Sequence, residues 1–183
     1  NTKAVIDEAI VLQDGNTSSA NDGKVIYVSG ALTLNKAPVD TLTGVTADGY
    51  ILVRKAEMYQ YYLSGDTVYH DFIDYQVANI QGRGGESYKN IAFPEEYGNK
   101  VILGEVCFDG GNLLIGEDYL TTLATHYEHF KHSHDLVPVS NSSAITGFTY
   151  KDGWYYSGSV SSYQLGDIRI KYEYLPVDSL KAL

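Results

Sequence analysis

The sequence predicts an α+β domain made predominantly of antiparallel β-sheet, with one main helix near residues 117–131. Three observations predict it. Seventeen tyrosines stand beside five phenylalanines and one tryptophan, and aromatic residues pack well on a pleated face. Two hairpin turn signals, Ser64-Gly65-Asp66 and Asp152-Gly153, each lie between strand-forming runs. Towards the end, Ile168, Ile170, Tyr172 and Tyr174 alternate with Asp167, Arg169, Lys171 and Glu173, which gives one apolar and one charged face. Closure of the sheet as a barrel and an open two-layer arrangement both fit this pattern.

In chain order, residues 2–12 (TKAVIDEAIVL) fit either a short helix or an entering strand, because Val5, Ala9 and Leu12 share a helical face with Ile6 and Ile10 beside it. Residues 13–23 are rich in Asn, Ser, Asp and Gly and read as a surface loop. Residues 24–34 (KVIYVSGALTL) read as a strand with Gly30 as a bulge. A connecting loop follows over 35–48, marked by Pro38, Gly44 and Asp48. Residues 49–62 (GYILVRKAEMYQYY) then combine strand formers with Arg54, Lys55 and Glu57. This is the expected central strand, and its polar groups need partners elsewhere. With residues 67–75 as its antiparallel partner it predicts a hairpin over 49–75.

Residues 81–96 are irregular, with Gly82, Gly84, Gly85 and Pro94. Residues 100–108 read as one strand closed by Asp109-Gly110-Gly111. Residues 117–131 (EDYLTTLATHYEHFK) carry acidic residues in the first turn and apolar residues at three-and-four spacing, the pattern of an amphipathic helix. Residues 144–151 and 154–158 flank the Asp152-Gly153 turn, and 167–175 form the last strand, ended by Pro176.

The chain of 183 residues fits a single domain with a substantial core. Its net charge of −10 argues against a nucleic-acid partner, which needs clustered Lys and Arg, and against direct binding to anionic membrane surfaces. Cys107 is the only cysteine, so no internal disulfide forms, and its apolar setting reads as a small buried residue. No apolar run approaches the roughly 18–20 residues that span a bilayer. The chain starts at Asn1 rather than Met, which fits a piece trimmed from something longer.

Candidate chemistry is sparse. His126 and His129 share a helical face beside Glu128 and Asp135, within the cluster HYEHFKHSH over 126–134, and a divalent metal is thinkable there. An exposed histidine-rich helix end, favourable at the negative pole of the dipole, is the preferred reading. Gly82-Arg83-Gly84-Gly85 lacks the spacing and the Lys-Ser/Thr of a phosphate loop. No Gly-x-Ser-x-Gly or Cys–His signature is present. The pairs Glu95-Glu96 and Glu117-Asp118 read as solvated loop and first-turn acids. Tyr59–Tyr62 and Tyr155-Tyr156 could form a stacking platform for a sugar or peptide, but a Tyr-rich core and interface belt is the plainer reading. Asn16-Thr17-Ser18 and Asn141-Ser142-Ser143 match the glycosylation sequon, which matters only in a eukaryotic secretory route. No catalytic, metal or cofactor residue is assigned.

Three segments in order resemble the transmembrane protein 43 (LUMA) family: 23–34 (GKVIYVSGALTL), 53–60 (VRKAEMYQ) and 164–173 (QLGDIRIKYE). The second is similar to that family's basic-x-x-Glu-Met-Tyr-Gln signature and the third to its Gly-Asp-x-Arg closing strand. Weaker echoes fall at 69–75, at Tyr88-Lys89-Asn90 and at 101–114. Departures are Tyr75 where a tryptophan is usual, Tyr61 rather than Trp after Gln60, and a Tyr88 motif without its His and Pro. The motif residues are Arg54, Lys55, Glu57, Met58, Tyr59, Gln60, Gly166, Asp167 and Arg169, and the expected role of the charged ones is to pair between neighbouring strands.

The resemblance implies a non-enzymatic domain on the non-cytosolic side of a multipass membrane protein, with one membrane helix before it and several after it. It implies self-association and other membrane proteins as partners, with scaffolding as the role. The expected source is a bacterial relative at the cell surface; a eukaryotic one would lie in the endoplasmic reticulum or inner nuclear membrane. A small-ligand or lipid-binding module with a tyrosine-lined pocket is the alternative.

Overall fold

The computed structural model describes residues 8–122, 136–139 and 145–176. The first part of the chain forms β1 (Ile10–Leu12), β2 (Ile26–Val28), β3 (Leu32–Lys36), β4 (Gly49–Ser64), β5 (Thr67–Ile73), β6 (Ile80–Gln81) and β7 (Ser87–Tyr88). The second part forms β8 (Lys100–Leu103), β9 (Glu105–Phe108), β10 (Val137–Val139), β11 (Thr149–Lys151), β12 (Trp154–Tyr156) and β13 (Ile168–Pro176). Residues 117–122 are helical. The remainder of the expected helix lies outside the described residues, as do the histidine cluster at 126–134 and Asn141-Ser142-Ser143.

The fold is β-rich and mainly antiparallel. Seven strands make one sheet in the order β11-β12-β13-β4-β5, with β10 also on β13 and β8 also on β4. Among the described residues no pairing closes it into a barrel. β4 and β13 are its spine, running antiparallel from Met58↔Ile168 to Leu52↔Tyr174. The other edge of β4 is shared between β8, opposite Ile51–Arg54, and β5, opposite Met58–Ser64.

β4 is buried on both faces near its start and alternates further on. Leu52, Ala56 and Met58 on one face pack with Ile168, Ile170, Tyr155 and Tyr172. Ile51 and Val53 on the opposite face pack with Val106, Leu175 and Leu120 of the helical turn. Burying each such aliphatic side chain stabilises the fold by about 1.5–3 kcal/mol, so the spine carries a core on each side.

Both hairpin turns form where the sequence places them. Gly65 has φ +61° at the first turn position, as a two-residue turn led by glycine requires. Asp152 and Gly153 both take positive φ, 50° and 88°, the geometry that favours Asp-Gly between strands.

Two expected strands are instead split. The run at 24–34 becomes β2 and β3, which belong to different sheets. A side chain at Gly30 would collide with the Asp109 carboxylate, which accepts the Ala31 N–H at 2.9 Å. The run at 100–108 becomes β8 on β4 and β9 on β3. Gly104 is the crossing point: its N–H donates to the Tyr50 carbonyl at 2.8 Å, and a Cβ there would lie 2.9 Å from the Lys36 carbonyl oxygen. The ambiguous N-terminal stretch is strand over β1, parallel to β2. Of the expected strand at 144–151, the described residues are paired only over β11, and residue 144 lies outside them.

Candidate functional site

Side chains of the expected motif distribute over three clusters along β4. The innermost is ionic. Asp40 and Arg54 are 1% and 4% exposed. Arg54 Nη1 donates to both Asp40 oxygens at 3.0 and 2.8 Å, Nε to the Gly98 carbonyl at 3.0 Å and Nη2 to the Glu96 carbonyl at 2.8 Å. Tyr172 donates its O–H to Asp40 at 2.6 Å and lies 2.6 Å from the Thr43 hydroxyl. Asp40 sits in the loop before β4, where its carboxylate takes the Leu42 N–H and its carbonyl takes the Gly44 N–H. Arg54 therefore pairs with a loop residue, not with a neighbouring strand as the sequence leads one to expect. Its position points into the core beside Leu52 and Ala56, where only a fully bonded partner offsets desolvation.

Burial raises the Asp40 pKa, but the hydrogen bonds from Tyr172, Arg54 and the Leu42 N–H outweigh it and hold the carboxyl below its ordinary value. Tyr172 is pushed well above the ordinary phenol range, first by burial and then by its bond to Asp40. Among the described residues no buried side-chain nitrogen or oxygen lacks a hydrogen-bond partner.

The second cluster lies on the opposite face of β4. Glu57 and Arg169 face each other in register across β4 and β13. Arg169 Nε donates to Glu57 Oε1 at 2.7 Å, and Nη2 reaches the same oxygen. The guanidinium carbon lies 4.4 Å from the centre of the Phe72 ring and 4.1 Å from that of Trp154. Burial lowers the Arg169 pKa, but the bonds to Tyr156 and Glu57 outweigh this and raise it. Around this pair Tyr59, Phe72, Tyr156 and Tyr163 pack ring against ring, with Tyr163 stacked on Tyr156 at 5.6 Å. Lys55 meets Glu173 at 3.9 Å but stands opposite Lys171 in register, and Lys171 lies 4.7 Å from the Trp154 ring centre.

The third cluster is neutral. Gln60, fully buried, donates to the Tyr75 carbonyl at 2.8 Å and the Ile73 carbonyl at 3.4 Å, and accepts from the Val77 N–H at 2.8 Å and from Gln76 at 3.3 Å. Met58 beside it belongs to the core. Gly166, at φ +89°, and Asp167 make the turn into β13. The Asp167 carboxylate accepts the Gln164 N–H at 2.9 Å and its carbonyl the Tyr59 N–H at 2.8 Å. Asp167 thus holds a turn in place of the inter-strand charge pair expected of it.

Two asparagines complete the sheet: Asn99, which sequence reasoning missed, and Asn90, which it singled out only within the Tyr88-Lys89-Asn90 echo and without a role. Asn99 accepts the Ala56 N–H at 2.8 Å, filling the gap between β8 and β5. Asn90, past the end of β13, exchanges bonds with both the N–H and the carbonyl of Tyr61 at 2.8 and 3.0 Å. Its side-chain amide stands in for a peptide group, and the only local signal is the Asn itself.

The remaining candidates are engaged elsewhere. Glu86 takes the Gly84 N–H, and Arg83 pairs with Asp66 at the surface. Cys107 is buried 3.1 Å from the Thr33 hydroxyl. Among the described residues no three His, Cys, Asp or Glu side chains converge as a metal would require, and no helix is long and apolar enough to cross a membrane. An open hollow of about 440 Å³ lies beside the β4–β5 hairpin, lined by Tyr62, Leu63, Tyr75, Val77 and Ile80 among others.

Compared with protein-family models, curated proteins and solved structures, the chain matches none.

Proposed function

We propose that this chain is the extracytoplasmic domain of a LUMA-like membrane protein and acts without catalysis, in scaffolding through self-association or in organising other membrane proteins. The observation that carries this reading is a division of labour along β4. Arg54, Glu57 and Gln60 are held by internal partners, whereas Leu63, Tyr69 and Tyr75 of the hairpin region stay 55%, 49% and 64% exposed. Of these, Leu63 and Tyr75 meet at one hollow, and exposed apolar side chains that cluster favour a protein partner over a reaction. Two of the three resembling segments, 53–60 and 164–173, are also neighbours through β4 and β13, which supports a common structural role for them. Sequencing the full reading frame tests the reading: one membrane span before this region and several after it are expected, and their absence overturns it. A Glu57→Ala chain that folds and assembles like the parent removes the structural role of that carboxylate.

A second reading, a small-ligand or lipid-binding module, draws on the hollow beside Tyr62 and Tyr75. A long-chain fatty acid titrated against tyrosine fluorescence should then saturate, and Tyr75→Ala should weaken it. An unchanged signal counts against it.

A further inference from the structure

We infer that the outer edge of β5 is a docking edge for β5 of a second copy of this chain, in an antiparallel register centred on Tyr69. The inference gives a location to the self-association proposed above and rests on that reading for its biological sense.

The hydrogen-bond pattern fixes which groups of β5 point outwards. The N–H groups of Tyr59 and Tyr61 donate away from β5, to Asp167 and Asn90. Their register partners Phe72 and His70 are therefore in non-hydrogen-bonded pairs, and by alternation so is Val68. Val68, His70 and Phe72 thus direct their main-chain groups to the open side. Among the described residues no strand pairs with that side.

An exposed edge strand is ordinarily guarded by a charge, a proline or shortness. The other outlying strands of this sheet are guarded in those ways. β11 has three residues and ends in Lys151, β10 carries Pro138 at its centre, and β8 has four residues and begins with Lys100. β5 has seven residues, TVYHDFI, with no lysine, proline or glycine, and its one charge, Asp71, is engaged by the Phe72 N–H of its own strand.

One outward group is already used: Asp71 accepts the Phe72 N–H at 2.7 Å. This selects the register. Pairing Val68 with His70 of the second copy, and His70 with its Val68, uses the free groups and leaves the Asp71–Phe72 bond intact. It brings Tyr69 opposite Tyr69 of the second copy. Tyr62 stacks on Tyr69 within each chain at 5.7 Å, so four tyrosines would line up across the junction. Shifting the register by two positions towards the C-terminal end would set Asp71 against Asp71, and like charges directly opposite oppose pairing.

Facing residues of a non-hydrogen-bonded pair have Cα atoms about 4.5 Å apart, within disulfide range. The test is mild oxidation of a Tyr69→Cys chain, with Tyr75→Cys as an exposed control off the edge, alongside sedimentation of the parent and of Tyr69→Lys. The expected result is a disulfide-linked dimer for Tyr69→Cys only, and a parent dimer weakened about tenfold or more by facing lysines. Tyr69 is half exposed, so both variants should fold, which circular dichroism checks. A Tyr69→Cys chain that stays monomeric overturns the inference, as does a parent dimer that Tyr69→Lys leaves intact. The latter result keeps the self-association reading and relocates its surface, whereas a reading frame without membrane spans removes that reading and leaves the edge contact standing.

Discussion

Arg54 donates through one nitrogen to both carboxylate oxygens of Asp40, and the other two nitrogens of its guanidinium are taken by the carbonyls of Gly98 and Glu96. The pair ties the central strand to the loop before it and to the segment before β8. Removing one member of such a buried pair leaves the other charged and unpartnered, at a cost of about 3–5 kcal/mol. Arg54→Met and Asp40→Ala are each expected to lower unfolding free energy by that order in a denaturant titration. The double variant should lose less than the sum, because neither leaves an orphan charge once the other is gone.

The same cluster sets a pH dependence with two limbs. Asp40 is held below its ordinary 3.8, so the stabilisation it contributes is present above that value and is lost as pH falls through the lower folded pKa. Tyr172 is raised above its ordinary 10.0, so its contribution is present below that value and is lost as pH rises above it. The difference in melting temperature between the parent and Tyr172→Phe should be widest near neutrality and narrow at both extremes. A difference independent of pH would contradict the assignment.

Arg169 should matter more than its partner Glu57. Both are about a fifth exposed, and the ion pair is worth about 1–2 kcal/mol in that setting. Arg169 also lies against Phe72 and Trp154, which adds roughly 0.5–1 kcal/mol for each ring. Arg169→Ala is expected to cost about 2–3 kcal/mol against about 1–2 for Glu57→Ala, and Arg169→Lys should recover little, since an ammonium lacks the planar contact. Equilibrium unfolding of the three variants checks the order.

Gln60→Glu should convert a neutral joint into a pH-sensitive one. The amide nitrogen of Gln60 faces the carbonyls of Tyr75 and Ile73, and a carboxylate oxygen there would meet two acceptors. The protonated acid restores one donor, so the folded pKa of the new carboxyl is raised. The variant is expected to be near parental stability in acid and to lose it as pH rises, with a deficit of about 2–4 kcal/mol at neutrality. The melting temperature followed against pH reads this directly.

Local turn chemistry and side-chain periodicity were legible in the chain. Gly65 and Asp152-Gly153 mark their hairpins because few residues tolerate positive φ, and the alternation along Ile168–Tyr174 marks its buried face because strand side chains change sides at every residue. The breaks at Gly30 and Gly104 were not legible, since each depends on a group arriving from a distant part of the sequence, the Asp109 carboxylate at one and the Lys36 carbonyl at the other. The candidate site divides in the same way. Glu57 and Arg169 are visible as strand charges, but Asp40 is an ordinary loop acid until the fold brings it 2.8 Å from Arg54.

The pairing of β4 with β13 joins positions more than a hundred residues apart, as with Glu57 and Arg169. During synthesis β4, the longest of the described strands, emerges long before β13, which covers one of its edges. Only the β5 hairpin can form early, and it protects the far half of β4. The half bearing Ile51–Val53 gains β8 on one edge midway through the chain, but its other edge stays bare until β13 arrives. Closure of that long loop makes slow folding the expectation, and the interval before β13 arrives is when this protein is most exposed to aggregation.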